Sequence, residues 1–285
     1  MSQLSASLLL LLTAFIWGTA FVAQDVSTEL VGTFTFNGIR FLIGALVLMP
    51  FIIQGRKKRT VSPKENRNLL KGGFLCGLAL FSASAFQQYA MIGAGAGKAG
   101  FITSLYNIFT PLMMIAIGKK VSKKIFFYAL LSCIGMYFLS ITSSFTMDSW
   151  DIYLVVCAFM FALQVMLIDY FIKDLDGLEL SQMQFFTVAI LSLAIAFLSE
   201  DINLDNLKAC AFPLLYTGIF SCGIAYTLQV VAQKYVKPNI ATLIMSLESV
   251  FAALAGFIIL SDALTPREIF GCVIVFASVL LSQLT

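Results

Sequence analysis

The chain is 285 residues long, 60% hydrophobic and 12% charged, with a formal net charge of +3. A soluble domain carries roughly 25% charged residues, so the charge here is too sparse to cover a globule and most of the surface must meet hydrocarbon. Histidine is absent, which removes the commonest zinc ligand and the usual general base. The six cysteines lie in apolar segments without a CxxC pair and read as free thiols, so neither a metal nor another cofactor is expected.

A helix crossing ~30 Å of hydrocarbon needs about 20 apolar residues. The first such segment, 4–23, carries Trp17; no Lys or Arg precedes Arg40, so it lacks the basic start of a secretory signal and reads as a spanning helix. The second, 33–53, holds Arg40 about two turns in. The connection "QGRKKRTVSPKENRN" follows, the longest in the chain, and then a third span over 72–91 with Gln87. "GAGAGKAG" at 93–100 resembles a phosphate-cradling loop only superficially. That pattern needs glycine where Ile92 stands, a hydroxyl where Ala99 stands, and a preceding strand. It reads instead as a tight turn into a fourth span, 99–118, with Tyr106 and Asn107.

A fifth span covers 125–143, and a sixth, 152–171, contains Gln164 and ends near Asp169, whose spacing to Lys173 predicts a local ion pair. The seventh is 181–199, the eighth, 209–232, brings Tyr226 and Gln229, the ninth, 240–260, brings Glu248, and the tenth is 267–284. The expected fold is an all-α membrane protein of ten transmembrane helices.

With both termini inside, fourteen Lys and Arg fall in inner loops against three outside, Lys98, Lys208 and Arg267. The positive-inside rule therefore expects cytoplasmic termini in a multi-pass protein of the inner (cytoplasmic) membrane. Lys98 then sits at an outer helix mouth, where snorkelling to water is the default.

Shifted by 142 residues, the chain matches itself. Gln87 falls on Gln229, Ala99 on Ala241, Ser104 on Ser246 and Phe109 on Phe251; a shift of 144 lays "AFIWG" over "AFMFA" and Asp25 over Asp169. The expected organisation is two five-helix repeats, 1–143 and 150–285. Five is odd, so the second copy enters from the opposite face, and inverted repeats of this kind suit alternating-access carriers with a site near the midplane.

The segments "WGTAF", "RFLIGALVL", "SLESVFAALAGFIIL" and "LTPREIFGCVIVFASVLL" resemble, over the whole chain, the drug/metabolite transporter superfamily in its EamA branch. The resemblance implies a ten-helix secondary transporter of small organic metabolites, often an exporter of amino acids or related compounds, without ATP hydrolysis or covalent chemistry. Members often have Glu-Pro in the ninth helix; here Ser249 follows Glu248, so a proline kink is not expected there.

An ionisable group at mid-membrane costs roughly 2.5–3.5 kcal/mol, which singles out Glu248 and Arg40. Glu248 either meets a substrate ammonium or a proton, or locks its helix to a neighbour; Arg40 either captures a carboxylate or ties helix ends together. Buried amides bridge helices or face a wet cavity, and Trp17 and Tyr106 offer rings to a flat ligand. The candidate substrate-binding set is Trp17, Gln87, Tyr106, Asn107, Gln164, Tyr226, Gln229 and Glu248, with Glu248 and Arg40 as charge or coupling residues. Expected partners are a small-molecule substrate, the lipid bilayer and protons, with no nucleic acid; monomer and homodimer both stay open. An amino-acid exporter and an uptake carrier for an aromatic vitamin or nucleobase-like compound are the two transport readings. An enzyme or a channel is the alternative from another class, and an enzyme would need a polar catalytic cluster that the spans lack.

Overall fold

The computed structural model describes residues 1–57, 59, 61–141, 148–259 and 265–283, with the backbone alone at 256–259. Lys58 and the expected span ends at 142–143, 260 and 284, like the repeat bounds 143 and 285, lie outside the described residues.

Among the described residues the chain is helical throughout. The first repeat comprises α1 (Gln3–Thr28), α2 (Thr33–Arg56), α3 (Pro63–Thr103), α4 (Tyr106–Ala116) and α5 (Lys123–Ser140). The second comprises α6 (Ser149–Phe171), α7 (Gly177–Ser199), a short α8 (Leu204–Ala209), and a rod made of α9 (Ala211–Tyr216), a π-helical segment (Thr217–Tyr226) and α10 (Thr227–Gln233). It closes with α11 (Pro238–Met245), α12 (Glu248–Ile259) and α13 (Pro266–Gln283). Nine of these rods are long and apolar enough to cross a membrane, and α4 with the end of α3 makes the tenth.

Three departures from the expected spans have local causes. The turn expected over "GAGAGKAG" is a kink at one residue: α3 runs 41 residues, and only Gly95 leaves helical dihedrals, with φ 70 and ψ 164. That backbone is open to glycine alone at low cost. The fourth and ninth spans are not continuous. Both break, between Thr103 and Tyr106 and between Met245 and Glu248, at positions 142 residues apart. At each break a serine hydroxyl turns back on its own helix, Ser104 to the Phe101 carbonyl and Ser246 to the Leu243 carbonyl at 2.7 Å. Such back-bonding competes with the helical ladder and bends it, so the ninth span breaks without a proline. Third, α3 starts at Pro63, earlier than expected, because Ser62 caps it by accepting from Glu65 N.

The repeats are interleaved rather than laid side by side. The closest-packed neighbours pair α2 with α7, α5 with α13, α3 with α6 and α7, and α1 with α12 and the α9–π–α10 rod. Each of these pairs one repeat with the other, in register with a two-fold axis lying in the plane of the membrane. The α2/α7 pair is clasped at both ends. Glu200 accepts from the amides of Phe34 and Thr35 at 2.8 and 2.7 Å, doing at α2's start what Gly32 has no side chain to do. At the other end Glu179 holds Arg56 and Arg59 at 3.0 and 2.9 Å, and the bond to Glu179 raises the Arg59 guanidinium above its ordinary pKa. Large apolar side chains such as Leu8, Phe127 and Phe197 are exposed on the outer surface, as a lipid-facing belt requires.

Candidate functional site

The axis runs through a central cavity. At each helix break the next residue begins a new helix and points inward: Tyr106 from α4 and Glu248 from α12. These are repeat-equivalent positions, and they meet, the Tyr106 hydroxyl donating to Glu248 Oε1 at 3.4 Å. Glu248 therefore stands at a helix start, where the backbone dipole favours a carboxylate, rather than deep inside a continuous ninth helix. Gly18 makes this possible. A Cβ there would sit 2.5 Å from the Glu248 carbonyl oxygen and 2.7 Å from Phe251 Cβ, so α1 and α12 touch backbone to backbone.

The cavity has a volume of about 40 Å³, room for a few waters. Its wall is built from repeat-equivalent pairs: Trp17 and Phe161, Phe21 and Val165, Gln87 and Gln229, Thr103 and Met245, Tyr106 and Glu248. Gln24, Arg40, Gln164, Ser221 and Tyr226 complete it. Of the candidate residues, Trp17, Gln87, Tyr106, Gln164, Tyr226, Gln229, Glu248 and Arg40 all line this space. Asn107 does not; it is buried one position along α4, and neither end of its amide has a partner among the described residues. The sequence reasoning missed Gln24, which lay just past an expected span end. It also missed Phe161, which the 144-residue shift already set opposite Trp17.

Arg40 is 2% exposed. Its Nε donates to Asn37 Oδ1 at 2.9 Å and its Nη1 to Gln24 Oε1 at 2.8 Å. The guanidinium lies 5.2 Å from the Phe36 ring centroid and 5.1 Å from that of Phe41. Among the described residues no carboxylate pairs with it, so a buried cation faces the cavity held only by amides and rings. Opposite stands a run of amides. Gln164 donates to Gln184 at 3.3 Å, and Gln229 donates to Gln164 and Gln233 at 3.2 Å each. Gln229 Oε1 and Gln184 Nε2 have no partner among the described residues. The aromatic wall is Trp17 against Tyr226 at 4.6 Å between ring centroids. Trp17 Nε1 donates to the Ser221 carbonyl at 3.4 Å, a group in the π-helical segment; such segments are frequent at functional sites.

Ion pairs stand at both faces. On the face opposite the N-terminus, Lys98 reaches Asp148 at 3.0 Å and Asp151 at 2.7 Å, joining α3 to the start of α6. The expected snorkelling thus gives way to a bridge, because the Gly95 kink turns Lys98 toward the other repeat. Its ammonium holds the exposed Asp148 carboxyl below the ordinary carboxylate range. On the N-terminal face, Asp169 is bound chiefly to Lys119 at 2.7 Å, linking α4 to α6; the expected partner, Lys173, is at 3.9 Å. Between this face and the cavity, α4 presents Asn107 and Thr110 one turn apart. Both are buried, and their side-chain polar atoms have no partner among the described residues.

The EamA-like transporter family is matched over residues 4–141 and again over 148–284. An uncharacterized transporter of Archaeoglobus fulgidus is 32% identical over 284 residues, covering 99% of this chain and 87% of that protein. The uncharacterized transporter YoaV of Bacillus subtilis is 20% identical, with 95% and 94% covered. A solved protein crystal structure superposes with a TM-score of 0.81 at 18% identity over 98% of this chain and 96% of its own, a likeness of fold.

Proposed function

The chain belongs to the EamA-like transporter family, and we propose that it is a secondary carrier exporting small polar organic metabolites, amino acids or related compounds, by alternating access. One observation supports this above others: the central cavity is walled by repeat-equivalent residues of both halves and lies between a Lys–Asp contact on either face. A two-fold site between inverted repeats presents the same surroundings to either side as the halves rock. The N-terminal face, which carries most of the Lys and Arg, is the cytoplasmic one.

In this reading Arg40 receives the substrate carboxylate, and Glu248 receives its ammonium or, in turn, a proton. Tyr106 holds Glu248 between these events. The polar face of α4, with Asn107 and Thr110 unpartnered in a dry interior, is the inner half of the path in its collapsed state. At about 40 Å³ the cavity must widen to admit a metabolite. No chemical conversion of the substrate is involved.

Counterflow of labelled amino acids in proteoliposomes tests the carrier reading: accumulation against unlabelled internal substrate is expected, while downhill leak alone or product formation overturns it. Glu248→Gln keeps the size and the acceptor for Tyr106, so the fold persists while proton-driven flux disappears. Unchanged transport with a flat pH profile would remove Glu248 from the coupling role. A second reading, uptake of a flat aromatic vitamin or nucleobase-like compound, is favoured by the Trp17–Tyr226 wall beside the glutamine run. It predicts that such compounds, rather than amino acids, raise the thermal stability of the purified protein.

A further inference from the structure

A second cavity, about 400 Å³, opens on the N-terminal face where the end of α4, the start of α5, the end of α6 and the start of α11 meet. Lys119, Lys120, Lys173 and Lys237 line it against a single carboxylate, Asp169. Asp169 balances one of the four, which leaves three positive charges around a space large enough for a ligand. Two helices begin at its wall. α5 starts behind Ser122, and α11 starts behind Lys237 with no side chain capping its amides. Both present the positive ends of their dipoles. Asn239, in the first turn of α11, also lines the cavity; it is 5% exposed, and its Oδ1 accepts from nothing among the described residues.

A general excess of Lys and Arg on one face accounts for charged loops. It does not account for four lysines enclosing a cavity with two helix starts and a buried amide oxygen left without a donor. From this arrangement we propose that the cavity is a binding site for a phosphate-bearing ligand that also offers an O–H donor. The lysines and helix starts hold the phosphate, and Asn239 Oδ1 takes the hydroxyl. Two sources share that chemistry: the glycerol phosphate headgroup of an anionic lipid, since the cavity lies at helix ends where headgroups lie, and free phosphate from solution. The site is separate from the central cavity, and the proposal does not rest on which cargo the carrier moves.

The test is thermal unfolding of the full chain in non-ionic detergent. It is titrated with short-chain phosphatidylglycerol, with short-chain phosphatidylcholine, and with inorganic phosphate against chloride of equal ionic strength. The wild-type protein is expected to gain several degrees from an anionic ligand and nothing from phosphatidylcholine. Lys120→Gln with Lys237→Gln should raise the ligand concentration needed by roughly thirtyfold, the loss expected for removing two near-surface lysines. A response to phosphatidylglycerol alone identifies the headgroup; a response to phosphate alone, or to both, identifies an anion site open to solution. Should the double variant not fold, Asn239→Asp sets a negative charge beside the phosphate and should abolish the response. No stabilisation beyond the chloride control, equal stabilisation by phosphatidylcholine, or an unchanged response in the variants overturns the proposal.

Discussion

Gly18→Ala places one methyl group where α1 and α12 are in backbone contact. The new Cβ would meet the Glu248 carbonyl oxygen at 2.5 Å, Phe251 Cβ at 2.7 Å and the Ala252 nitrogen at 2.8 Å. Two of these atoms are backbone and the third is fixed to it, so no rotamer change relieves them. Restoring ordinary contact at 3.4 Å moves the helices apart by about 0.9 Å. Overpacking of this kind costs ~1–3 kcal/mol, a fall in melting temperature of roughly 2–12 °C for a chain of this size. The displaced segment carries Glu248, whose bond from Tyr106 is already 3.4 Å long, so that bond is lost and the pH dependence of transport weakens. Gly100→Ala is the internal control. Nothing lies within 4 Å of a Cβ at Gly100, and the helical backbone there gains ~0.4–1 kcal/mol from the smaller unfolded-state entropy. Differential scanning fluorimetry and proteoliposome flux on the pair decide the matter. Equal stability of the Gly18 variant and wild type, or an equal loss in both variants, refutes the argument that this contact sets the position of Glu248.

Arg40→Gln removes a charge-assisted bond to any substrate carboxylate, worth ~1.5–3 kcal/mol; binding of carboxylate ligands should weaken by roughly 10- to 100-fold by isothermal titration, while a neutral ligand is unaffected. Asn107→Leu replaces unpartnered buried amide atoms with apolar ones. It should raise stability by ~1–3 kcal/mol and slow transport in the same preparation, and a loss of stability would count against a dry, collapsed α4 face. Because the Asp148 pKa is lowered in the folded protein, its contribution is present above the ordinary carboxylate value near 3.9 and fades as the pH falls through the lower folded value. The melting temperatures of wild type and Asp148→Asn, which keeps the helix cap, should therefore converge only below about pH 4.

Much of the architecture was legible in the amino-acid sequence. Hydropathy over 20-residue windows located the spans because each residue's transfer cost is a local property. The match of Gln87 with Gln229 and Ser104 with Ser246 exposed the repeat because equivalent positions keep equivalent neighbours. The same match held information left unread: Tyr106 and Glu248 are 142 residues apart, and positions related by a two-fold axis meet if they lie on it. Trp17 and Phe161 stand in the same relation.

The pairing of side chains belonged to the tertiary structure alone. In hydrocarbon both faces of a spanning helix are apolar, so no polar stripe marks which side turns inward. Periodicity could not say that Arg40 would face a cavity without a carboxylate while Asn107 would miss it. Local spacing favoured Lys173 for Asp169, but the interleaving of the repeats carried Lys119 closer from a helix 50 residues away. The helix count and the repeat follow from composition and self-similarity. The cavity, its charge and its closures follow from how two copies of one motif cross, because contacts between distant segments depend on backbone approach at residues such as Gly18 and Gly95, where a missing side chain is the determining feature.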